Sequence, residues 1–320
     1  MNRAKVPLWA KTREMLNLRW SDFLFVSIFV ALLLISSLVS QTFFTSRNLI
    51  NISRQIVTNG IISLGMLIVI LTSGIDLSVG SIVALCGIMA SGLQKNVPTA
   101  MAIVIALVVG AAVGMGNGFF ISRFKLQPFI VTLATMGVIR GATYVFSDTP
   151  QTPVDPLYRS LLGGGFVGPI PVPAIIMVVF FILVWFFINR TIPGRAIVAI
   201  GGNEEAVRLA GINVAGHLTL AYVLSGFFAA MAGILLSSRL GIAQPSLGVG
   251  FELDAIAAVV IGGGTLGGGG GGGGAIGTFL GVLILGVIDN LLNQFNVQSY
   301  YQQIIKGLII LVAVLSRRKK

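Results

Sequence analysis

The sequence predicts an all-α polytopic membrane protein with about ten transmembrane helices and both termini cytoplasmic. Three observations predict it. The 320 residues are 55% hydrophobic and 10% charged, with a mean hydropathy of +0.96, whereas soluble domains carry about 25% charged residues. The apolar residues fall in ten segments, near 22–40, 55–73, 77–93, 100–122, 127–147, 172–189, 217–238, 252–263, 275–293 and 302–316, and a spanning helix needs about 20 such residues. The basic residues gather on alternate sides of those segments, as the positive-inside rule expects. This composition excludes a soluble enzyme, a nucleic-acid-binding domain and a disordered chain.

The first segment follows a basic N-terminal stretch, as the core of a secretory signal would. Phe23–Val39 is long for a signal core, and no small-x-small site follows before Gln41-Thr42-Phe43-Phe44; it reads as a retained span. The second and third segments are separated only by Ser73-Gly74-Ile75-Asp76, and the eighth is short and ends in glycine. With ten spans, Arg3, Lys5, Lys11, Arg13, Arg19, Arg123 and Lys125 fall inside. So do Arg190, Arg195, Arg208, Arg317, Arg318, Lys319 and Lys320, whereas Arg47, Arg54, Lys95, Arg159 and Arg239 fall outside. An odd number of spans would put one basic terminus outside. The organisation is therefore a cytoplasmic segment 1–21, one transmembrane domain 22–316 and a basic cytoplasmic tail 317–320. Two longer connections interrupt the domain: a Pro/Gly-rich external loop at about 147–171 and a polar internal one at about 190–216.

Ionisable groups inside spans are costly and mark function or pairing. Six fall there: Asp76, Arg140, Glu252, Asp254, Asp289 and Lys306. Asp76 sits in Gly74-Ile75-Asp76-Leu77-Ser78-Val79-Gly80, where it caps the third span through backbone N–H groups near Ser78 and Val79 or lines a polar path at a broken helix. Glu252 and Asp254, two residues apart, point to different faces of a helix. Arg140 has no acidic neighbour at helical spacing and needs a partner from another helix, backbone carbonyls or water. Asp289 and Lys306 lie near the outer ends of neighbouring spans and can pair. The candidate translocation path comprises Asp76, Asn117, Thr132, Arg140, Glu252 and Asp254. The acidic breaks before the third and eighth spans fall on opposite faces, as a five-plus-five inverted repeat would place them. Gly110, Gly114, Gly116, Gly118, Gly277 and Gly281 suit close helix packing.

Enzyme chemistry finds little support. Cys86 is the one cysteine and reads as a packing residue. His217 is the one histidine, no Cys/His set suggests a metal, and there is no G-x-x-x-x-G-K-[ST] loop for a nucleotide. The internal connection holds Asn203-Glu204-Glu205-Ala206-Val207-Arg208-Leu209-Ala210-Gly211. Asn203 is an N-cap, two glutamates occupy the first turn and Gly211 ends the turn. Ala206, Leu209 and Ala210 form a small apolar face, so the helix is a surface connector or a docking element.

Four strings then carry a resemblance: Leu71-Thr72-Ser73-Gly74-Ile75-Asp76-Leu77-Ser78-Val79-Gly80; Pro128-Phe129-Ile130-Val131-Thr132-Leu133-Ala134-Thr135-Met136 with Arg140-Gly141; Gly201-Gly202-Asn203-Glu204-Glu205-Ala206 with Leu209 and Gly211-Ile212; and Gly250-Phe251-Glu252-Leu253-Asp254-Ala255-Ile256-Ala257. In order, and over nearly the whole chain, they resemble the permease subunits of bacterial ABC sugar importers of the ribose/xylose/arabinose/galactoside branch, nearest the ribose- or allose-type permeases. The resemblance implies a multi-pass subunit of the bacterial inner membrane. It implies a second permease copy or paralogue as dimer partner, cytoplasmic ATPase subunits that bind ATP and Mg, and a periplasmic sugar-binding protein that delivers a monosaccharide. The chain itself would hold no cofactor, catalyse no reaction and bind no nucleic acid. Glu204, Glu205, Ala206, Arg208 and Gly211 match the ATPase-coupling segment. The chain departs from the pattern at Gly267–Gly274, eight consecutive glycines where relatives intersperse polar residues. The competing reading is an ion-coupled secondary transporter of a small polar solute, which would also use glycine-broken helices and buried carboxylates.

Overall fold

A computed structural model describes residues 20–269 and 274–317. The expectations placed on the N-terminal segment 1–19, on glycines 270–273 and on the tail residues 318–320 lie outside the described residues. The described chain is mainly α-helical: α1 (Trp20–Val39), α2 (Ser46–Leu71), α3 (Val79–Gly92), α4 (Thr99–Phe124), α5 (Pro128–Phe146), α6 (Val172–Arg190), α7 (Ile192–Gly202), α8 (Glu204–Leu209), α9 (Val214–Leu240), α10 (Phe251–Ile261), α11 (Gly274–Gln294) and α12 (Ser299–Arg317). Each of the ten apolar segments is occupied by one helix. Six of these (α2, α4, α5, α6, α9 and α11) are by themselves long and apolar enough to cross a membrane. The two remaining helices, α7 and α8, lie in the 190–216 connection, where the sequence reading placed only the second.

Local chemistry sets the boundaries. The Thr45 hydroxyl accepts the Asn48 N–H at the start of α2. Prolines open α5 and stand in the first turns of α6 and α7, where the missing N–H costs nothing. Gly241, at φ +68°, closes α9 in a left-handed conformation suited to glycine. The connection between α5 and α6 carries a small antiparallel hairpin, Phe166–Val167 against Ile170–Pro171.

Helices α2 and α9 form the centre of the bundle. Their apolar windows are 83% and 67% buried, against 17% for α5 on the periphery. Close approach of α4 to α9 depends on missing side chains: a Cβ on Gly114 would overlap the Tyr222 carbonyl, and one on Gly226 the Gly110 carbonyl. Gly118 packs on Thr219, Gly277 on Gly262 and Gly281 on Ala258, as small residues at helix contacts should. Gly116 differs; nothing lies within 4 Å of its Cβ position, because its side of α4 faces away from α9.

At 14 and 11 residues, α3 and α10 rise about 21 Å and about 16 Å, short of a hydrocarbon core of about 30 Å. Each follows a non-helical segment, 72–78 and 241–250, and the two meet. A Cβ on Gly80 would overlap the Gly248 carbonyl and the Glu252 carboxylate, and one on Gly248, at φ +76°, would overlap the Gly80 carbonyl. Segment 241–250 reaches this crossing from the α5–α6 connection, where Gln151 and Ala243 exchange two backbone hydrogen bonds of 2.8 Å.

Contacts between connections sort into two groups, one at each end of α4. At its start the Thr99 hydroxyl donates to Asp155 at 2.6 Å, and nearby Lys95 donates to Gln151 at 2.9 Å. Just past its end Lys125 pairs with Glu204 at 2.6 Å. At that second end the Ser73 hydroxyl donates to the carbonyls of Gly201 (3.2 Å) and Gly267 (2.8 Å), and the Gly269 N–H donates to Leu71 at 3.3 Å. Three segments distant in sequence meet there through the Ser73 hydroxyl and backbone groups.

Candidate functional site

The first candidate, Asp76, is fully buried. Its Oδ1 accepts the Ser78 N–H (3.0 Å) and the Ser78 hydroxyl (2.6 Å), and Oδ2 accepts the Ser225 hydroxyl from α9 (2.7 Å). The capping role is therefore present through Ser78. A second layer supports the first: the Asn117 amide donates to Ser78 Oγ at 3.0 Å, and the Thr135 hydroxyl donates to Asn117 Oδ1 at 2.6 Å. Every bond in this chain points toward the carboxylate, so an ionised Asp76 satisfies all the donors around it. Thr132 lies beside it, with its hydroxyl 3.2 Å from the Ile75 carbonyl and 2.9 Å from that of Pro128. The Tyr222 hydroxyl, buried against the Gly74 backbone, has no hydrogen-bond partner among the described residues. One network thus fastens α4, α5 and α9 to the non-helical segment before α3.

Arg140 stands about one helical turn and a half further along α5 from Thr135. Its guanidinium donates to the carbonyl oxygens of Pro245 and Leu247, the latter at 2.8 Å. These are the backbone carbonyls that an intramembrane arginine without a local acid requires. Glu252 is close enough to act on Arg140 electrostatically. Arg140 therefore grips the segment that delivers α10 to the crossing with α3.

Asp254 belongs to neither group. It pairs with Lys306 at 3.0 Å and accepts from Asn59 at 3.4 Å, and Lys306 also pairs with Asp289 at 3.1 Å. The expected Asp289–Lys306 pair is present, with Asp254 as a third member. The six path candidates consequently divide into a buried network (Asp76, Asn117, Thr132), the crossing (Arg140, Glu252) and a separate ion cluster (Asp254). Ser78, Ser225, Thr135 and Tyr222 complete the first group, and nothing in their sequence surroundings singles out Ser225 or Tyr222 from other polar residues in spans.

The second candidate is the surface formed by α7 and α8. Thr191 caps α7 by accepting the Gly194 N–H at 3.1 Å, and Asn203 caps α8 by accepting the Ala206 N–H at 2.9 Å. Gly211, at φ +79°, lets the chain leave α8. Arg208 places one guanidinium nitrogen 2.7 Å from both oxygens of Glu205, and this hydrogen-bonded carboxylate raises the arginine above its ordinary value. The expected apolar face is turned the other way. Val207 is the buried side chain of α8, clustered with Ile200, Val214 and Leu218, while Ala206 and Ala210 are exposed and Leu209 is 78% exposed. A six-residue helix takes its orientation from one well-seated contact, and Val207 makes it. The outward surface therefore carries Glu204, Glu205, Ala206, Arg208 and Leu209.

Comparison with known proteins follows this geometry. Residues 48–314 match the family described as branched-chain amino acid transport system / permease component. The chain is 46% identical over 299 residues to the ribose import permease protein of Bacillus subtilis (strain 168), covering 92% of each. It is 44% identical over 300 residues to the ribose import permease protein of Escherichia coli (strain K12), covering 91% of this chain and 92% of the relative. Identity to the D-allose transport system permease protein of the same E. coli strain is 36% over 301 residues, 92% and 90% of the two chains. No solved structure matches significantly. The matched region spans α2 to α12, including both interrupted helices and the α7–α8 surface, and so the chain belongs to this permease family, as a multi-pass transport subunit of the ABC sugar-permease kind nearer in sequence to the ribose-type relatives than to the allose-type one.

Proposed function

We propose that the protein is the membrane-spanning subunit of an ATP-driven importer that carries a ribose-like pentose or a related monosaccharide across the bacterial inner membrane by alternating access. The observation that carries this reading is the 46% identity to a ribose import permease over 92% of both chains. In this reading the protein crosses the membrane ten times with the α7–α8 connection inside. The sorting of contacts supports the alternation of ends that this topology requires: Ser73, Lys125, Gly201, Glu204 and Gly267 share one end, and Lys95, Thr99, Gln151, Asp155 and Ala243 the other. The short helices α3 and α10 are then the corresponding breaks of an inverted five-plus-five repeat, meeting at Gly80 and Gly248.

A separate ATPase docks on Glu204, Glu205, Ala206, Arg208 and Gly211 and binds the ATP and Mg. Two contacts give its motion a route into the membrane: Lys125–Glu204 ties α8 to the end of α4, and Ser73–Gly201 ties α7 to the segment leading to Asp76. The sugar passes a dimer of this chain with a second copy or paralogue, along Asp76, Asn117, Thr132, Arg140 and Glu252. A periplasmic sugar-binding protein delivers it. The experiment is reconstitution in proteoliposomes with and without the cognate ATPase and binding protein, following labelled ribose against allose and arabinose. Uptake that needs ATP and the ATPase is expected; uptake driven by an ion gradient through the permease alone would overturn the proposal in favour of a secondary transporter.

A further inference from the structure

The cluster of Asp254, Asp289 and Lys306 is unused by the transport reading. It joins three helices: Asp254 on α10, Asp289 on α11 and Lys306 on α12. Lys306 Nζ lies 3.0 Å from Asp254 Oδ2 and 3.1 Å from Asp289 Oδ2, and the three side chains are between 10% and 19% exposed. The second oxygen of Asp289, Oδ1, is buried and has no hydrogen-bond partner among the described residues.

Charge counting decides what this arrangement holds. With all three groups ionised, two carboxylates face one ammonium and the cluster carries a net negative charge. The surroundings do not offset it. Helix α2 contributes the neutral Asn59, 3.4 Å from Asp254 Oδ2. On α10, Glu252 is the other acid and lies toward Gly80. Helix α6 meets α11 through apolar side chains such as Phe181 on Phe279, and Ser40 just after α1 meets α11 at Gln294. Among the described residues, the charges acting on Asp289 are those of Lys306 and Asp254. A surplus charge shielded from water is far more costly than a paired one, and the smallest ligand that removes it is a proton.

We propose that Asp254, Asp289 and Lys306 form a proton-binding site, in which one bound proton makes the cluster neutral. Asp289 Oδ1 is the atom left free to carry it while Lys306 keeps its bond to Asp254. The proton comes from the aqueous phase, and no covalent bond to another atom breaks. Because Asp254 lies two residues beyond Glu252, the site sits on the helix that reaches the crossing. Its occupancy therefore bears on how α10 is held against α11 and α12.

The test is infrared spectroscopy of the full-length permease in nanodiscs of phosphatidylethanolamine and phosphatidylglycerol at neutral pH. The wild type should show the C=O stretching band of a protonated carboxylic acid, shifted in D2O. Asp289→Asn and Asp254→Asn should each lose it, because either leaves a one-to-one ion pair with no surplus charge. If one variant fails to accumulate, the other carries the comparison; if both fail, loss of the band as the wild type is titrated to alkaline pH without unfolding carries it. A wild type without the band overturns the proposal, as does a band intact in a folded variant, which would belong to another carboxyl group. Stability that responds to sodium or potassium in place of the band would assign the neutralising charge to a metal cation and equally overturn it.

Discussion

Ser225 donates its hydroxyl to Asp76 Oδ2 at 2.7 Å across 149 residues of sequence, joining the middle of α9 to the break between α2 and α3. The carboxylate is fully buried and faces donors alone. Asp76→Asn would present an amide N–H₂ to hydroxyls already committed as donors, and at least one polar group would lose its partner. Hydrogen bonds to charged groups contribute about 1.5–3 kcal/mol, so Ser225→Ala should lower stability by about 2 kcal/mol and Asp76→Asn by more. Thermal unfolding of the purified permease measures both; an Asp76→Asn protein as stable as wild type would mean that the network does not hold the break in place.

The Gly80–Gly248 crossing yields a prediction with an internal control. Gly80→Ala puts a methyl group into a carbonyl oxygen, and Gly248→Ala adds left-handed backbone strain of about 1–2 kcal/mol. Gly141→Ala, with nothing within 4 Å of its Cβ position, should be tolerated. Uptake should fall at least tenfold for the first two and stay within twofold for the third. Equal uptake by all three would show that the crossing opens freely.

Arg140→Met keeps much of the volume and removes both carbonyl contacts on segment 241–250. If Arg140 serves the path, the variant should reach wild-type membrane levels and transport poorly. Depletion from the membrane would instead make the guanidinium a structural clamp. Immunoblotting of membranes beside an uptake assay separates the two outcomes.

At the α7–α8 surface, Glu205→Lys reverses the charge beside Arg208, and Gly211→Pro demands a φ near −65° where the chain has +79°. Both changes lie outside the packed core, so insertion should be normal. Sugar-stimulated ATP hydrolysis by the assembled complex should drop at least tenfold; normal stimulation in both would place the ATPase elsewhere.

Much of this was readable before any coordinates, for physical reasons that also mark the limits. Apolar runs must become helices in a membrane, so the ten segments and the ten helices agree. The Asp76–Ser78 cap is a local bond and follows from adjacent residues, whereas Ser225 meets Asp76 only because α9 passes there. The opposite facing of Glu252 and Asp254 follows from their spacing, yet the third seat at Lys306 and Asp289 depends on how α10 packs. Helix α7 is not legible in the sequence because 11 residues with two glycines at the end resemble a loop. The buried face of α8 is not legible from spacing because Val207, outside the apolar triplet, finds Ile200 and Leu218.

Asp155, in the connection between α5 and α6, gives a prediction in pH. Bonds from the Thr99 hydroxyl and the Leu157 N–H hold its carboxyl below the ordinary value, which is about 3.9. A depressed folded value means that the stabilisation is complete above the unfolded pKa and is lost as pH falls through the folded one. Thr99→Val should therefore be less stable than wild type at neutral pH, and the difference should shrink below about pH 4. Unfolding midpoints across an acid series test it; a constant difference would mean the hydroxyl acts without the carboxylate.

The joint where Ser73 meets Gly201 and Gly267 has a consequence for how this chain tolerates change. Its bonds on the glycine side use a carbonyl of Gly267 and an N–H of Gly269, groups that every glycine in the homopolymer carries identically. Gly268 and Gly269 adopt φ of +77° and +74°, open to any glycine that stands there. The joint is degenerate in register: a neighbour can take the seat with the same atoms. The seat is defined by backbone atoms alone on that side, so its chemistry is indifferent to which glycine supplies them.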